Sequence, residues 1–123
     1  MISLSFPLDS LRDGSTLSVN LGLMEYRFDE CILDAAKRTL MRAGNRIAVE
    51  PQVFDLILLL ARNAERVVTR DELIEVVWGG RIVSESAISA RIAAARKAVG
   101  DDGKRQAVIR TVARRGIQMA TAV

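Results

Sequence analysis

Histidine is absent from the 123 residues, and cysteine occurs once, as Cys31. Without imidazole there is no Ser-His triad, no histidine general acid or base and no His-ligated metal. A lone thiol can neither close an internal disulfide nor build a four-cysteine zinc site. No two carboxylates are spaced for acid/base work, and no nucleophile has an activating partner, so the chain does not read as an enzyme and calls for no cofactor or metal. The longest unbroken apolar run, 56–61, is six residues, far short of the ~20 that span a bilayer. Residues 1–22 carry Asp9 and Asp13 and lack the basic-then-apolar order of a secretory leader. These absences point to a soluble, cytoplasmic binding domain.

What the chain does have is a half-apolar composition, 50% hydrophobic, enough to bury a core at a length suited to one domain. It also has a lopsided charge. The formal net charge is only +3. Yet nine basic residues and three acidic ones fall between Arg81 and Arg115, so one third of the chain is strongly basic and the rest mildly acidic. Such polarity suits a polyanionic partner, although an Arg-rich solvated surface would look the same in sequence.

Residues 1–22 show no sustained period and are expected to form an arm or extension, with a strand near 17–23. The domain is expected over 23–123. From Tyr26 the pattern is strand-like: Tyr26 and Phe28 alternate with charged residues, followed by 31–33, 39–41 and 47–49, with Ala43-Gly44-Asn45 as a tight turn. Four short strands predict a small antiparallel sheet that needs helices on one face. Pro51 suits a first helical turn, and Val53, Phe54, Leu56, Ile57, Leu60 and Ala61 follow at helical spacing, with Leu58 and Leu59 besides. This helix, ending near Asn63, should be the most buried. Thr69-Arg70-Asp71-Glu72 is a capping box opening a second helix that Gly79-Gly80 end. Ser84 is the N-cap of a third, running over 84–99. Residues 107–112 and 117–120, separated by Ala113-Arg114-Arg115-Gly116, predict a hairpin with a basic tip.

The order of strands, three helices and hairpin places a helix-turn-helix ahead of a wing. Several local motifs agree with it: Glu50-Pro51 before the first helix, Arg70-Asp71-Glu72-Leu73, Val77-Trp78-Gly79, the run Arg96-Lys97-Ala98-Val99-Gly100-Asp101-Asp102, and Arg110-Thr111-Val112 before the wing tip. From about Tyr26 onward the chain resembles the winged helix-turn-helix effector domain of OmpR/PhoB-type transcriptional regulators, in the branch without a phospho-receiver domain. The resemblance implies an α+β fold with an N-terminal four-stranded antiparallel sheet, three helices and a C-terminal β-hairpin wing. It implies double-stranded DNA as partner, the third helix in the major groove and the wing at the minor groove or phosphates, with RNA polymerase a possible second partner at the loop between helices 2 and 3.

On a 100° wheel, Ile88, Ile92, Ala95 and Val99 share the core face of the third helix, while Ser86, Ser89, Ala90, Ala93, Ala94 and Lys97 lie opposite. Arg91 and Arg96 fall on the flanks. This outer face is small and nearly neutral, which lets the backbone come close to base edges but offers few of the bidentate contacts that discriminate bases. The family usually carries larger polar or basic residues at the positions of Ala93 and Ala94, where helix propensity alone would also account for alanine. Affinity is therefore expected to rest on phosphates and duplex shape. Arg114 and Arg115 at the wing tip, with Arg110 and Thr111 on the adjoining strand, complete the basic surface. The family's aromatics after the wing glycine are replaced by Ile117 and Met119. Trp78 either packs helix 2 or brings its indole N–H to a phosphate, and Arg81 is a further phosphate candidate. Gly100-Asp101-Asp102-Gly103 reads as a helix end and turn, and Cys31 as a buried, inert strand residue.

The leading expectation is a DNA-binding regulator that acts as a dimer or on tandem half-sites. The alternative, motivated by Ala93 and Ala94, is a winged-helix interaction module that docks on RNA polymerase or another regulator with little base readout.

Overall fold

The computed structural model describes residues 25–123. The expectations for residues 1–22, including a strand near 17–23, lie outside the described residues.

The chain opens with an antiparallel meander of four strands: β1 (Glu25–Phe28), β2 (Cys31–Asp34), β3 (Thr39–Arg42) and β4 (Asn45–Ile47), paired in that order. The register sets Phe28 opposite Cys31 and Leu33 opposite Leu40. These four side chains are buried, because alternate residues of a strand face one side and this sheet has one side covered. Ala43 and Gly44, both at positive φ, make the two-residue turn between β3 and β4. β4 therefore begins at Asn45 and ends at Ile47, earlier than the apolar run 47–49 implied.

α1 (Pro51–Arg62) buries seven of its twelve residues and packs against both later helices. It is the centre of the core, as its apolar wrap predicts. β5 (Val68–Thr69) then leads directly into α2 (Arg70–Trp78). The capping box is formed: the Thr69 hydroxyl accepts from the Glu72 N–H and the Glu72 carboxylate from the Thr69 N–H. Gly79 closes the helix in the left-handed conformation. α3 (Glu85–Ala98) starts at Ser84, whose hydroxyl accepts from the Ala87 N–H, and runs into Val99.

The wing is β6 (Ile109–Val112) and β7 (Gly116–Met119). The hairpin predicted from 107 starts two residues later. β7 also pairs with β5, so the wing is the outer part of a three-stranded sheet ordered β5-β7-β6. That third strand was not expected. Gly116 is where the two elements meet: a Cβ there would lie 1.9 Å from the Val68 carbonyl oxygen. Glycine at this place serves close backbone approach as well as the turn.

Candidate nucleic-acid interface

The third helix turns its buried residues, Ile88, Ala95, Ala98 and Val99, into the core. Ile92 and Ala94 are half-buried beside them. Ser86, Ser89, Ala90, Ala93 and Lys97 are exposed. The wheel was thus correct for five outward residues. It misjudged Ala94, which packs against the core rather than facing out, and it did not anticipate the burial of Ala98.

The two arginines on the flanks have separate environments. Arg91 Nε donates to Gln52 Oε1 at 2.9 Å, and its guanidinium lies 3.5 Å from Glu50. Arg96 is 9% exposed. Its Nε donates to the Ile109 carbonyl at 3.1 Å and its Nη2 to the Thr111 hydroxyl at 2.8 Å. Arg96, a flank residue and DNA-contact candidate from sequence, is instead buried, and the neighbouring strand takes up its donors. Thr111, placed with the basic surface from sequence, accepts that bond with its hydroxyl.

α3 and the wing lie side by side. Between them runs a cleft of about 490 Å³, lined among others by Ser89 and Ile92 of α3, Thr111 of β6, and Arg114 and Arg115 of the wing turn. Arg70, at the start of α2, enters the same cleft and pairs with Glu85 across the helix-turn-helix. From sequence, Thr69 and Arg70 open the second helix, as a cap first and as a phosphate site at its free N–H groups second; the pairing of Arg70 with the third helix could be found only from the fold. Arg110 donates to Gln118 across the wing at 3.0 Å and remains exposed. Arg114 sits at φ +64, turning the tip back toward β7. Trp78 is half-buried against the core at the end of α2, in agreement with its packing role. Beyond it Arg81 is exposed and Ile82 fully so.

Elsewhere the chemistry is quiet. Burial, aided by Asp29, pushes the Cys31 thiol up to about 11, so the thiolate that would react is scarce at neutral pH. Asp101 is buried yet ionised: burial opposes its charge, but N–H groups of Ile109, Val108 and Ala107 outweigh burial and hold it down to about 2. Among the described residues no helix is long and apolar enough to cross a membrane.

Residues 44–119 match the sequence profile of the family described as "Transcriptional regulatory protein, C terminal". The chain belongs to this family. It is similar to the transcriptional activator CadC of Escherichia coli, 31% identical over 98 residues that make up 79% of this chain and 19% of CadC. The chain thus spans about a fifth of that relative. Among solved structures, the response regulator DrrB of Thermotoga maritima, an OmpR/PhoB homologue, superposes with a TM-score of 0.71 at 34% identity, covering 78% of this chain and 44% of DrrB. The DNA-binding domain of E. coli CadC gives 0.66 at 29% identity, over 77% of this chain and 90% of that domain. The fold is accordingly the OmpR/PhoB-type winged helix-turn-helix, with its four-stranded sheet, three helices and terminal hairpin.

Proposed function

We propose that residues 23–123 are the duplex-DNA-binding domain of a cytoplasmic transcriptional regulator, with α3 in the major groove and the turn 113–116 at the minor groove or phosphates. One observation carries this reading: Ser89 of α3 and the wing arginines Arg114 and Arg115 line one cleft, so helix and wing can meet the same duplex. The similarity to the CadC DNA-binding domain supports it. The outward set of Ser86, Ser89, Ala90, Ala93 and Lys97 supplies few bidentate contacts to bases. Phosphate contacts from the wing and from Arg81 then dominate affinity, and duplex shape much of the preference.

Titrating the protein into labelled random-sequence duplex at several salt concentrations tests this. Log affinity should fall steeply with log salt. Replacing Arg114 and Arg115 with alanine should flatten the slope by about 2 while the melting temperature barely moves. A parent protein that stays folded and ignores duplex at low salt would sink the reading.

A second partner has one observation in its favour. Ile82 is fully exposed beside Arg81 in the loop joining α2 to α3, the loop at which the family resemblance implies a contact with RNA polymerase. RNA polymerase bound there, or a second copy on a tandem half-site, would act together with DNA rather than replace it.

A further inference from the structure

β6 is the edge of its sheet, with β7 alone beside it. Edge strands leave alternate N–H and C=O groups without a ladder partner. Here side chains from the end of α3 and the loop after it stand in for the missing strand. The Asp101 carboxylate accepts from the N–H groups of Ala107, Val108 and Ile109 at 2.9, 2.9 and 3.0 Å. Gln106 Oε1 accepts from the Thr111 N–H at 2.7 Å. Arg96 donates to the Ile109 carbonyl and to the Thr111 hydroxyl. Asp101 and Arg96 therefore hold one residue along its open edge, Asp101 by the N–H of Ile109 and Arg96 by its C=O. They are themselves tied together, because the Asp101 N–H donates to the Arg96 carbonyl at 2.7 Å.

We infer that Arg96 is a positioning residue for DNA binding: with Asp101 it fixes where the wing stands relative to α3, so that Arg114 and Arg115 reach the duplex that α3 engages. The inference rests on the DNA-binding reading above. Apolar packing alone does not require this device. Ile109, Ile117 and Met119 already anchor the hairpin in the core, and a buried guanidinium is a costly filler compared with an aliphatic side chain. What arginine adds is a rigid planar fork that meets two acceptors in one fixed direction. Apolar contacts are non-directional, whereas two hydrogen bonds from one plane set both distance and angle. The grip also acts close to the tip, since Thr111 is separated from the turn only by Val112.

The test is a cycle of four proteins: the parent, Arg96→Met, the pair Arg114→Ala and Arg115→Ala, and all three changes together, each titrated with labelled random-sequence duplex. In the parent, losing the wing arginines should weaken binding about tenfold or more. In the Arg96→Met background the same loss should cost less than about twofold, because a misplaced wing contributes little. Multiplying losses, with a salt slope lowered by about 1 for Arg96→Met alone, would make Arg96 a direct phosphate contact and overturn the inference. A second measurement needs no DNA. A paramagnetic tag on Ala113→Cys (Cys31 being buried) should broaden the amides of Ser89 and Ala93 less, and less sharply, once Arg96 is changed. Unchanged broadening overturns the inference even where the parent does bind duplex. Absent duplex binding with altered broadening would instead leave Arg96 placing the wing and remove only the DNA reading. If Arg96→Met does not fold, Thr111→Val, which deletes one of the two acceptors, takes its place in both measurements.

Discussion

The Arg91 guanidinium in α3 is held by Gln52 in the first turn of α1, its Nε donating to the amide oxygen at 2.9 Å, with Glu50 3.5 Å away. An arginine on the flank of α3 is thereby directed toward the protein, beside a carboxylate that would compete with phosphate. Replacing Glu50 and Gln52 together with alanine should free it. A rim pair of this kind is worth ~0.2–1 kcal/mol, so duplex affinity should rise by about 1.4- to fivefold, and the salt slope should steepen by about 1. Adding Arg91→Ala should abolish the gain. Equal affinity in the parent and the Glu50/Gln52 variant would show that Arg91 is not restrained with respect to DNA.

A different relationship governs Gly116. The Val68 carbonyl approaches so closely that a Cβ at position 116 would lie 1.9 Å from its oxygen, against backbone that has no flexible end to move. Gly116→Ala must therefore separate β5 from β7 or shift the hairpin. The expected cost is ~1–3 kcal/mol or somewhat more, the range of forced overpacking, seen as a lower midpoint in urea with a cooperative transition. Because β5 feeds straight into α2 through Thr69, amide exchange should quicken at the N-terminus of α2 as well as in the wing. A midpoint within experimental error of the parent would contradict the close approach.

These two sites mark the boundary of what the sequence discloses. Thr69 with Glu72, and Gly79 after Trp78, are local signals, and the helices start and stop where they say. β1 to β3 were legible through alternation around Phe28, Leu33 and Leu40. β5 was not, because a two-residue strand has no period and exists only through its partners Gly116 and Ile117. In α3, the consecutive Ala93, Ala94 and Ala95 give the wheel no contrast between apolar and polar faces. Its phase was therefore loose by about one residue: Ala94 was misjudged, and the burial of Ala98 was not anticipated. Arg96 was set on the flank, with no sign of its burial, because a wheel knows only its own helix. The acceptors that draw it inward, Ile109 and Thr111, belong to a strand thirteen and fifteen residues on. Asp101 was likewise hidden, as a carboxylate in a Gly-Asp-Asp-Gly turn looks solvated until the N–H groups of Ala107, Val108 and Ile109 come round to it.

At the wing tip, stability and binding should respond in opposite directions to one change. Arg114 holds φ at +64, a left-handed conformation that costs a side-chain-bearing residue roughly 1 kcal/mol and glycine almost nothing. Arg114→Gly removes that strain together with one exposed guanidinium. The melting temperature should hold or rise by a few degrees, since about 1 kcal/mol moves a domain of this size by ~4–8 °C, offset in part by the freer unfolded chain. Duplex affinity should fall severalfold at low salt, with the slope reduced by about 1. A drop in both quantities would mean that the side chain of Arg114 supports the turn.

The carboxylate of Asp101 makes folding itself sensitive to acid. Its value in the folded chain is about 2, below the ordinary 3.8: burial works against ionisation, and the hydrogen bonds from Ile109, Val108 and Ala107 prevail. A depressed carboxylate contributes stability that is complete above its unfolded value and is lost as pH falls through the folded one. The loss should therefore begin near pH 5, be steepest between about pH 4 and pH 2 and be complete only near pH 1, for a contribution of about 2 kcal/mol. Glu72 titrates over the same window. Its hydrogen bond from Arg66 comes first, then that of the Thr69 N–H, and together they hold it down to about 2 from 4.5. Asp101→Asn should therefore leave an acid limb that is shallower but still present. At pH 7 the variant should lose ~2–4 kcal/mol, because the amide cannot satisfy three converging N–H groups. Urea midpoints measured from pH 7 down to pH 2 check both statements. A variant whose stability falls as steeply with acid as the parent's would place the acid sensitivity elsewhere than at the wing's edge.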